Sequence, residues 1–180
     1  PIDLHLSGLK RLDVKIEEDN GYILCSCDKL TGADILLDFP SVGATENIIL
    51  AAVKAEGTTV IRNAAKEPEI VDLQNFLNKM GGKINGAGGS TVIVEGVEKL
   101  HGVEYTPIKD RIEAGTFLIA AASCGGEIEI EGVPQENIAA LLHKLRENGC
   151  KIHIKNDKIT LKSNGRLRAA ELIETTPFPG

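Results

Sequence analysis

The strongest constraint on this chain is that it repeats itself at a spacing of 68 residues. Leu9, Leu77 and Leu145 hold equivalent positions in three amphipathic segments, and Ile16, Ile84 and Ile152 close those segments at the same spacing. The segments are Ile2 to Ile16 (IDLHLSGLKRLDVKI), Ile70 to Ile84 (IVDLQNFLNKMGGKI) and Asn137 to Ile152 (NIAALLHKLRENGCKI). Each reads as an amphipathic helix, a short turn and a strand. Such a period is too long for the common solenoids and contains sheet formers, which predicts pseudo-symmetric α/β units sharing a core.

A second element recurs around the first. Gly43 to Gly57 (GATENIILAAVKAEG) and Gly115 to Gly126 (GTFLIAAASCGG) are Ala-rich apolar helices bounded by glycine. Strands Thr58 to Arg62 and Glu127 to Glu131 follow them. Gly after the last helical residue suits a left-handed cap, and Pro68 and Pro134 stand where a first helical turn tolerates proline. Further strands are expected at Tyr22 to Cys27, Ala33 to Leu37, Thr91 to Glu95, Lys158 to Lys162 and Ala169 to Glu174. Stretches as apolar as Ile48 to Val53 and Phe117 to Ala122 should be covered almost all round, whereas Asn137 to Arg146 keeps a charged face. The first 42 residues supply only the second half of a unit, and Thr175 to Gly180 (TTPFPG) reads as the opening of another.

Charge narrows the function classes. With 26 acidic against 20 basic residues the formal charge is −6, which argues against a nucleic-acid or membrane-surface binder, because phosphate backbones need a basic face. No apolar run reaches the roughly 18 residues of a membrane span, and the N-terminus lacks a signal core, so a cytosolic protein is expected. Cys25, Cys27, Cys124 and Cys150 have no zinc spacing and are read as buried reduced thiols. His5, His101, His143 and His153 show no metal spacing either, and His143 is expected at a helix surface. Aromatic residues make up only 3%, so recognition must rest on polar groups and backbone.

Three places could carry chemistry. Asp38 to Asn47 (DFPSVGATEN) sets Pro40, Ser41 and Gly43 before a buried helix, whose unpaired N–H groups and positive dipole end suit an anion. A plain Ser41 cap accounts for the same residues. Asp110 to Thr116 (DRIEAGT) crowds Asp110, Arg111 and Glu113 at the second such helix, where an arginine fork could hold an oxyanion or pair with a neighbouring carboxylate for purely structural reasons. Lys66 to Glu69 (KEPE) places Glu67 and Glu69 near the positive end of a helix, which capping explains. There is no P-loop and no dinucleotide fingerprint, and the Gly81 to Ser90 run joins a helix to a strand as turns.

Four motifs, in order, resemble the UDP-N-acetylglucosamine enolpyruvyl transferases: Pro1-Ile2-Asp3-Leu4-His5, Ser41-Val42-Gly43-Ala44-Thr45, Lys66-Glu67-Pro68-Glu69-Ile70-Val71-Asp72, and Asp110-Arg111-Ile112-Glu113-Ala114-Gly115-Thr116-Phe117. The resemblance runs nearly the length of the chain. It implies an α/β fold, an inside-out α/β barrel built from βαβαββ repeats and incomplete at both ends. Residues 1–109 would be half a repeat plus a full repeat of the first globule, and 110–180 the first repeat of the second, with the active cleft between globules.

The resemblance also implies a reaction: transfer of enolpyruvate from phosphoenolpyruvate to the 3-hydroxyl of UDP-N-acetylglucosamine for peptidoglycan synthesis, with no metal or cofactor. Asp3, Leu4 and His5 would hold the uridine side. Phe39, Pro40, Ser41, Val42 and Gly43 would line the diphosphate and uridine region, Phe39 standing where some family members carry a basic residue. Arg111 and Glu113 would lie near hinge and cleft, with Glu67 a further candidate. The family's general-acid Cys loop and late Asp and Arg residues would fall outside this chain, so none of its residues is expected to be catalytic, and it would act only with the remaining parts of the same enzyme. The alternatives are a 5-enolpyruvylshikimate-3-phosphate synthase-like chain and a noncatalytic repeat module that assembles with a complementary chain.

Overall fold

In a computed structural model that describes residues 2–179, the chain divides into two compact units between Pro107 and Ile108. The first begins with helix α1 (Asp3–Arg11), whose first turn holds Asp3 and whose last turn holds Lys10 and Arg11, the charge order that a helix dipole favours. Hairpin β1 (Lys15–Asp19) and β2 (Tyr22–Ser26) follows, turning through Asn20 and Gly21 at positive φ. A four-stranded sheet is built next, from β3 (Asp34–Leu36), helix α2 (Val42–Ala52), β4 (Thr58–Arg62), helix α3 (Pro68–Lys79), β5 (Lys83–Asn85) and β6 (Thr91–Glu95).

That stretch is one βαβαββ unit with strand order β3-β4-β6-β5, parallel between β3 and β4 and antiparallel elsewhere. Alternation sets which face is inside: Ile61, Val92 and Val94 are fully buried while Arg62, Ile93 and Glu95 face out. Ile48, Ile49 and Ala52 of α2 and Ile70 and Leu77 of α3 complete the core with Leu12, Ile35 and Leu37. Pro68 opens α3 at its first residue, where its missing N–H costs nothing.

The second unit carries helix α4 (Arg111–Cys124), β7 (Gly126–Glu131), a 3-10 turn (Gln135–Ile138), helix α5 (Ala139–Glu147), β8 (Lys151–Lys155) and β9 (Lys158–Ser163). Its sheet has the order β7-β9-β8, all antiparallel, so β9 pairs like β6 and β8 like β5. Leu118, Leu142, Leu145, Ile159 and Leu161 form a second core. Across the outer face Lys158 pairs with Glu129 and Glu131, and Lys162 with Glu127. The repeat architecture is present as open sheets, and no closed barrel forms among the described residues.

Several expectations fail for identifiable reasons. Cys25 and Cys27 are exposed because nothing in the described residues packs over hairpin β1–β2, where Tyr22 and Leu24 are 73% and 53% exposed; Cys124, the last residue of α4, is exposed as well, and of the four only Cys150 is buried. Helix α4 is covered on one flank only: Ala114, Leu118 and Ala122 are buried while Ile112, Phe117 and Ile119 face outward. Ala169 to Glu174 forms no strand, since the segment meets no strand to pair with and leaves Leu172 and Ile173 exposed. Gly57 does not cap α2, which ends at Ala52. It takes its positive φ in the turn before β4, whereas Gly125 does follow α4 directly at φ 79°.

Candidate functional site

Glycine at position 8 sets the first cluster. Ile48 of α2 is fully buried against Gly8 of α1, and a Cβ there would overlap Ile48 Cδ1 and Cγ1, so only glycine lets the two helices approach this closely. The approach brings the first turn of α1 to the start of α2. His5, half-buried, lies along α2 with its Nδ1 2.7 Å from Asn47 Nδ2. Its ring edge passes over Gly43, where a Cβ would stand 3.0 Å from Cε1 and 3.4 Å from Nε2. Asp3 is exposed in the first turn of α1, and Leu4 turns its side chain toward the core, so its backbone is what it can offer a ligand.

Residues 39–43 form the adjoining rim. Phe39 is 58% exposed, Pro40 is half-buried, and Ser41 is the N-cap of α2. Ser41 Oγ accepts a 3.3 Å hydrogen bond from the Ala44 N–H, and the Ser41 carbonyl accepts from the Thr45 N–H at 3.0 Å and the Thr45 hydroxyl at 2.8 Å. Thr45 in turn accepts from the Ala65 N–H at 3.1 Å inside the core, which ties the start of α2 to the turn before α3. Val42 and Gly43 supply helix N–H groups ahead of the first intrahelical acceptor. The rim is therefore donor-rich, suited to oxygen acceptors and to negative charge. The cap that local reading expects of Ser41 is formed.

Carboxylates gather behind this rim. Glu67 stands at the N-cap position of α3 without a side-chain cap bond, and Glu69 lies in its first turn. Burial raises the pKa of the Glu46 carboxyl above its ordinary range, and the negative charges of Glu69 and then Glu67 push it the same way. On β3 and β4, Arg62 grips the exposed Asp34 through two guanidinium nitrogens, Nη2 at 2.8 Å and Nε at 2.9 Å. That hydrogen bonding holds the Asp34 carboxyl below its usual pKa. Arg11 adds a 3.0 Å bond to the Asp34 carbonyl.

The DRIEAGT motif lies in the second unit. Asp110 Oδ1 accepts from the Ile112 and Glu113 N–H groups at 2.8 and 2.9 Å, so this carboxylate is spent as the α4 cap. Arg111 places its guanidinium 5.0 Å from the centroid of the Phe178 ring. It borders a cavity of about 310 Å³ with Ile112, Thr116, Asn137 and Leu141. Glu113 is exposed in the same first turn. Among the described residues no group of three His, Cys, Asp or Glu side chains is arranged to hold a metal ion, and no helix is long and apolar enough to cross a membrane.

The structure thus joins His5 with Gly43 and Asn47 in one unit, with Ser41 capping the same helix, and places Arg111 and Glu113 in the other. Pro1 lies outside the described residues. Sequence reasoning missed Asn47, although its position four residues after Gly43 on α2 puts both on the helix face that His5 meets.

Comparison with known proteins adds a family. The model described as EPSP synthase (3-phosphoshikimate 1-carboxyvinyltransferase) matches residues 1–180. A protein named UDP-N-acetylglucosamine 1-carboxyvinyltransferase 2 from Caldanaerobacter subterraneus subsp. tengcongensis is 57% identical over all of this chain, which spans 43% of that relative's length. UDP-N-acetylglucosamine 1-carboxyvinyltransferase 1 from Symbiobacterium thermophilum is 56% identical, with 41% of its length covered, and the Staphylococcus aureus (strain N315) protein of that name 50%, with 43% covered. In fold, the chain is similar to the enolpyruvyl transferase NikO from Streptomyces tendae, at a TM-score of 0.74 and 23% identity over 91% of this chain and 42% of NikO. It is also similar to EPSP synthase from Acinetobacter baumannii, at 0.63 and 20% over 92% of this chain and 40% of that one.

Proposed function

We propose, from the premise that this chain belongs to the EPSP synthase family of 1-carboxyvinyl (enolpyruvyl) transferases, that it is part of an enzyme transferring enolpyruvate from phosphoenolpyruvate to the 3-hydroxyl of UDP-N-acetylglucosamine. The observation that carries this reading is the 57%, 56% and 50% identity, over the whole chain, to relatives named for that nucleotide sugar. In the reaction the sugar 3-hydroxyl gives up its proton to a base as its oxygen bonds to C2 of phosphoenolpyruvate, and C3 takes a proton from an acid. The C2–O bond to phosphate then breaks as C3 loses a proton, leaving the enolpyruvyl ether and inorganic phosphate. Both steps need acid–base help, and cationic groups to hold the carboxylate and the phosphate.

On this reading the chain contributes mainly recognition. Asp3, Leu4 and His5 take the uridine side, and Phe39, Pro40, Ser41, Val42 and Gly43 the diphosphate and uridine region. Arg111 and Glu113 contribute from the second unit and Glu67 from the first. Residues 1–109 are assigned to the first globule of the family fold and 110–180 to the second. The chain spans less than half the length of the relatives it matches, and the acid–base groups of turnover are assigned to the remaining length. The enzyme is placed in the cytoplasm, in peptidoglycan synthesis.

Calorimetric titration of the intact protein with UDP-N-acetylglucosamine and, separately, with shikimate 3-phosphate tests the assignment. Binding of the nucleotide sugar alone supports it. Binding of shikimate 3-phosphate alone favours the second reading, an EPSP synthase-like activity, which the description of the matching family model supports. The uncovered apolar flank of α4 and the exposed face of β2 also fit a chain that assembles with complementary segments of the same enzyme. Sedimentation of the 180-residue chain alone as a dilute, stable monomer would count against that requirement.

A further inference from the structure

We infer that Asn47 is a positioning residue which fixes the tautomer of His5, so that His5 meets the nucleotide sugar as a hydrogen-bond donor through Nε2. The contact is between Asn47 Nδ2 and His5 Nδ1 at 2.7 Å, across 42 residues of sequence. An amide nitrogen only donates, so Nδ1 must be the accepting nitrogen, and in the neutral ring the proton then sits on Nε2. The remaining space decides where that N–H lies. Gly43 is one helical turn before Asn47, and its missing side chain admits the Cε1–Nε2 edge of the ring at the start of α2. Nε2 therefore lies on the Gly43 side of the ring, near the start of α2, and as an N–H it is matched by an acceptor oxygen of the nucleotide sugar.

The inference rests on the nucleotide-sugar reading, and the two are separable by experiment. In the intact protein with 15N-labelled histidine, two-bond nitrogen–proton correlation spectra report which ring nitrogen of His5 carries the proton. The expected result is a single Nε2–H tautomer in wild type and a mixture in Asn47→Leu. Asn47→Asp, whose carboxylate can only accept, should draw the proton to Nδ1. Calorimetry should then show UDP-N-acetylglucosamine binding weakened about fivefold in Asn47→Leu, the worth of one hydrogen bond, and at least as much in His5→Phe. Unchanged spectra in both Asn47 variants overturn the positioning role whatever the affinities. Spectra that shift as expected with unchanged affinity in His5→Phe leave the tautomer control standing but remove His5 from the ligand site, which overturns the donor role and the nucleotide-sugar assignment of this residue together.

Discussion

The Tyr105 hydroxyl donates a 2.6 Å hydrogen bond to Asp72 Oδ1, fastening the strand-free stretch after β6 to helix α3 of the first unit. The Tyr105 ring packs against Phe76 with centroids 5.2 Å apart, and Lys79 reaches the Glu104 carbonyl at 2.8 Å beside it. The hydrogen bond to Asp72, followed by burial and the Asp72 charge, pushes the Tyr105 hydroxyl up to about 12.

The sign of its pH dependence follows. A raised acid is bound more tightly in its protonated form when folded, so this stabilisation is whole below the ordinary tyrosine value of 10.0 and is lost as pH rises through about 12. Tyr105→Phe should cost about 1 kcal/mol at neutral pH and abolish that alkaline loss. Hydrogen exchange over residues 97–107 should speed up in the variant. Ultraviolet titration of the phenolate in a Tyr22→Phe background reads the shift directly, and ionisation at 10.0 or below would contradict it.

Gly8→Ala should destabilise the first unit despite the better helix propensity of alanine. Propensity gains about 1 kcal/mol, whereas overpacking a buried side chain costs about 1–3 kcal/mol, and Ile48 is fully buried against the new methyl. Adding Ile48→Val, which removes the Cδ1 atom in conflict, should recover part of the loss in a double-mutant cycle. Equal destabilisation in both variants would mean the helices part rather than repack.

Glu46→Gln should stabilise the protein at neutral pH and leave it unchanged in acid. The Glu46 pKa is raised by burial and by Glu69 and Glu67, so the favourable protonated state is fully present below the ordinary value of 4.5 and is lost as pH rises through the higher folded value. The difference in thermal midpoint between wild type and variant, followed from acid to neutral pH, should grow across that window. A flat difference would place Glu46 in water.

Ser41 serves as cap and stands in the proposed ligand rim, and two substitutions separate the roles. Ser41→Ala should cost about 1 kcal/mol of stability through the cap, whereas Ser41→Gly should cost only a few tenths. Both should weaken UDP-N-acetylglucosamine binding by about 1 kcal/mol. Unchanged affinity in the glycine variant would confine Ser41 to capping.

Local pattern carried much of the architecture. Strands Thr58–Arg62 and Thr91–Glu95 fall where alternation predicts them, because each alternates core and solvent faces within a few residues. Helix α3 begins at Pro68, and Leu77 and Leu145 are buried at the repeat positions that periodicity marks. The segment 169–174 shows the weakness of the same signal: its alternation is that of a strand, but a strand exists only when another lies beside it. Apolar helix α4 errs in the other direction, since composition states what a surface prefers to contact and not whether the contact is there.

What the sequence alone determined is therefore the repeat, the kind of each element and the residues that cap or bound it, since these depend on neighbours within a turn or two. Only the tertiary structure decided that Gly8 admits Ile48, that Asn47 meets His5 and that Tyr105 meets Asp72. These contacts join residues 33 to 42 positions apart, and their existence depends on the angle and depth at which packed elements meet, which no local periodicity encodes.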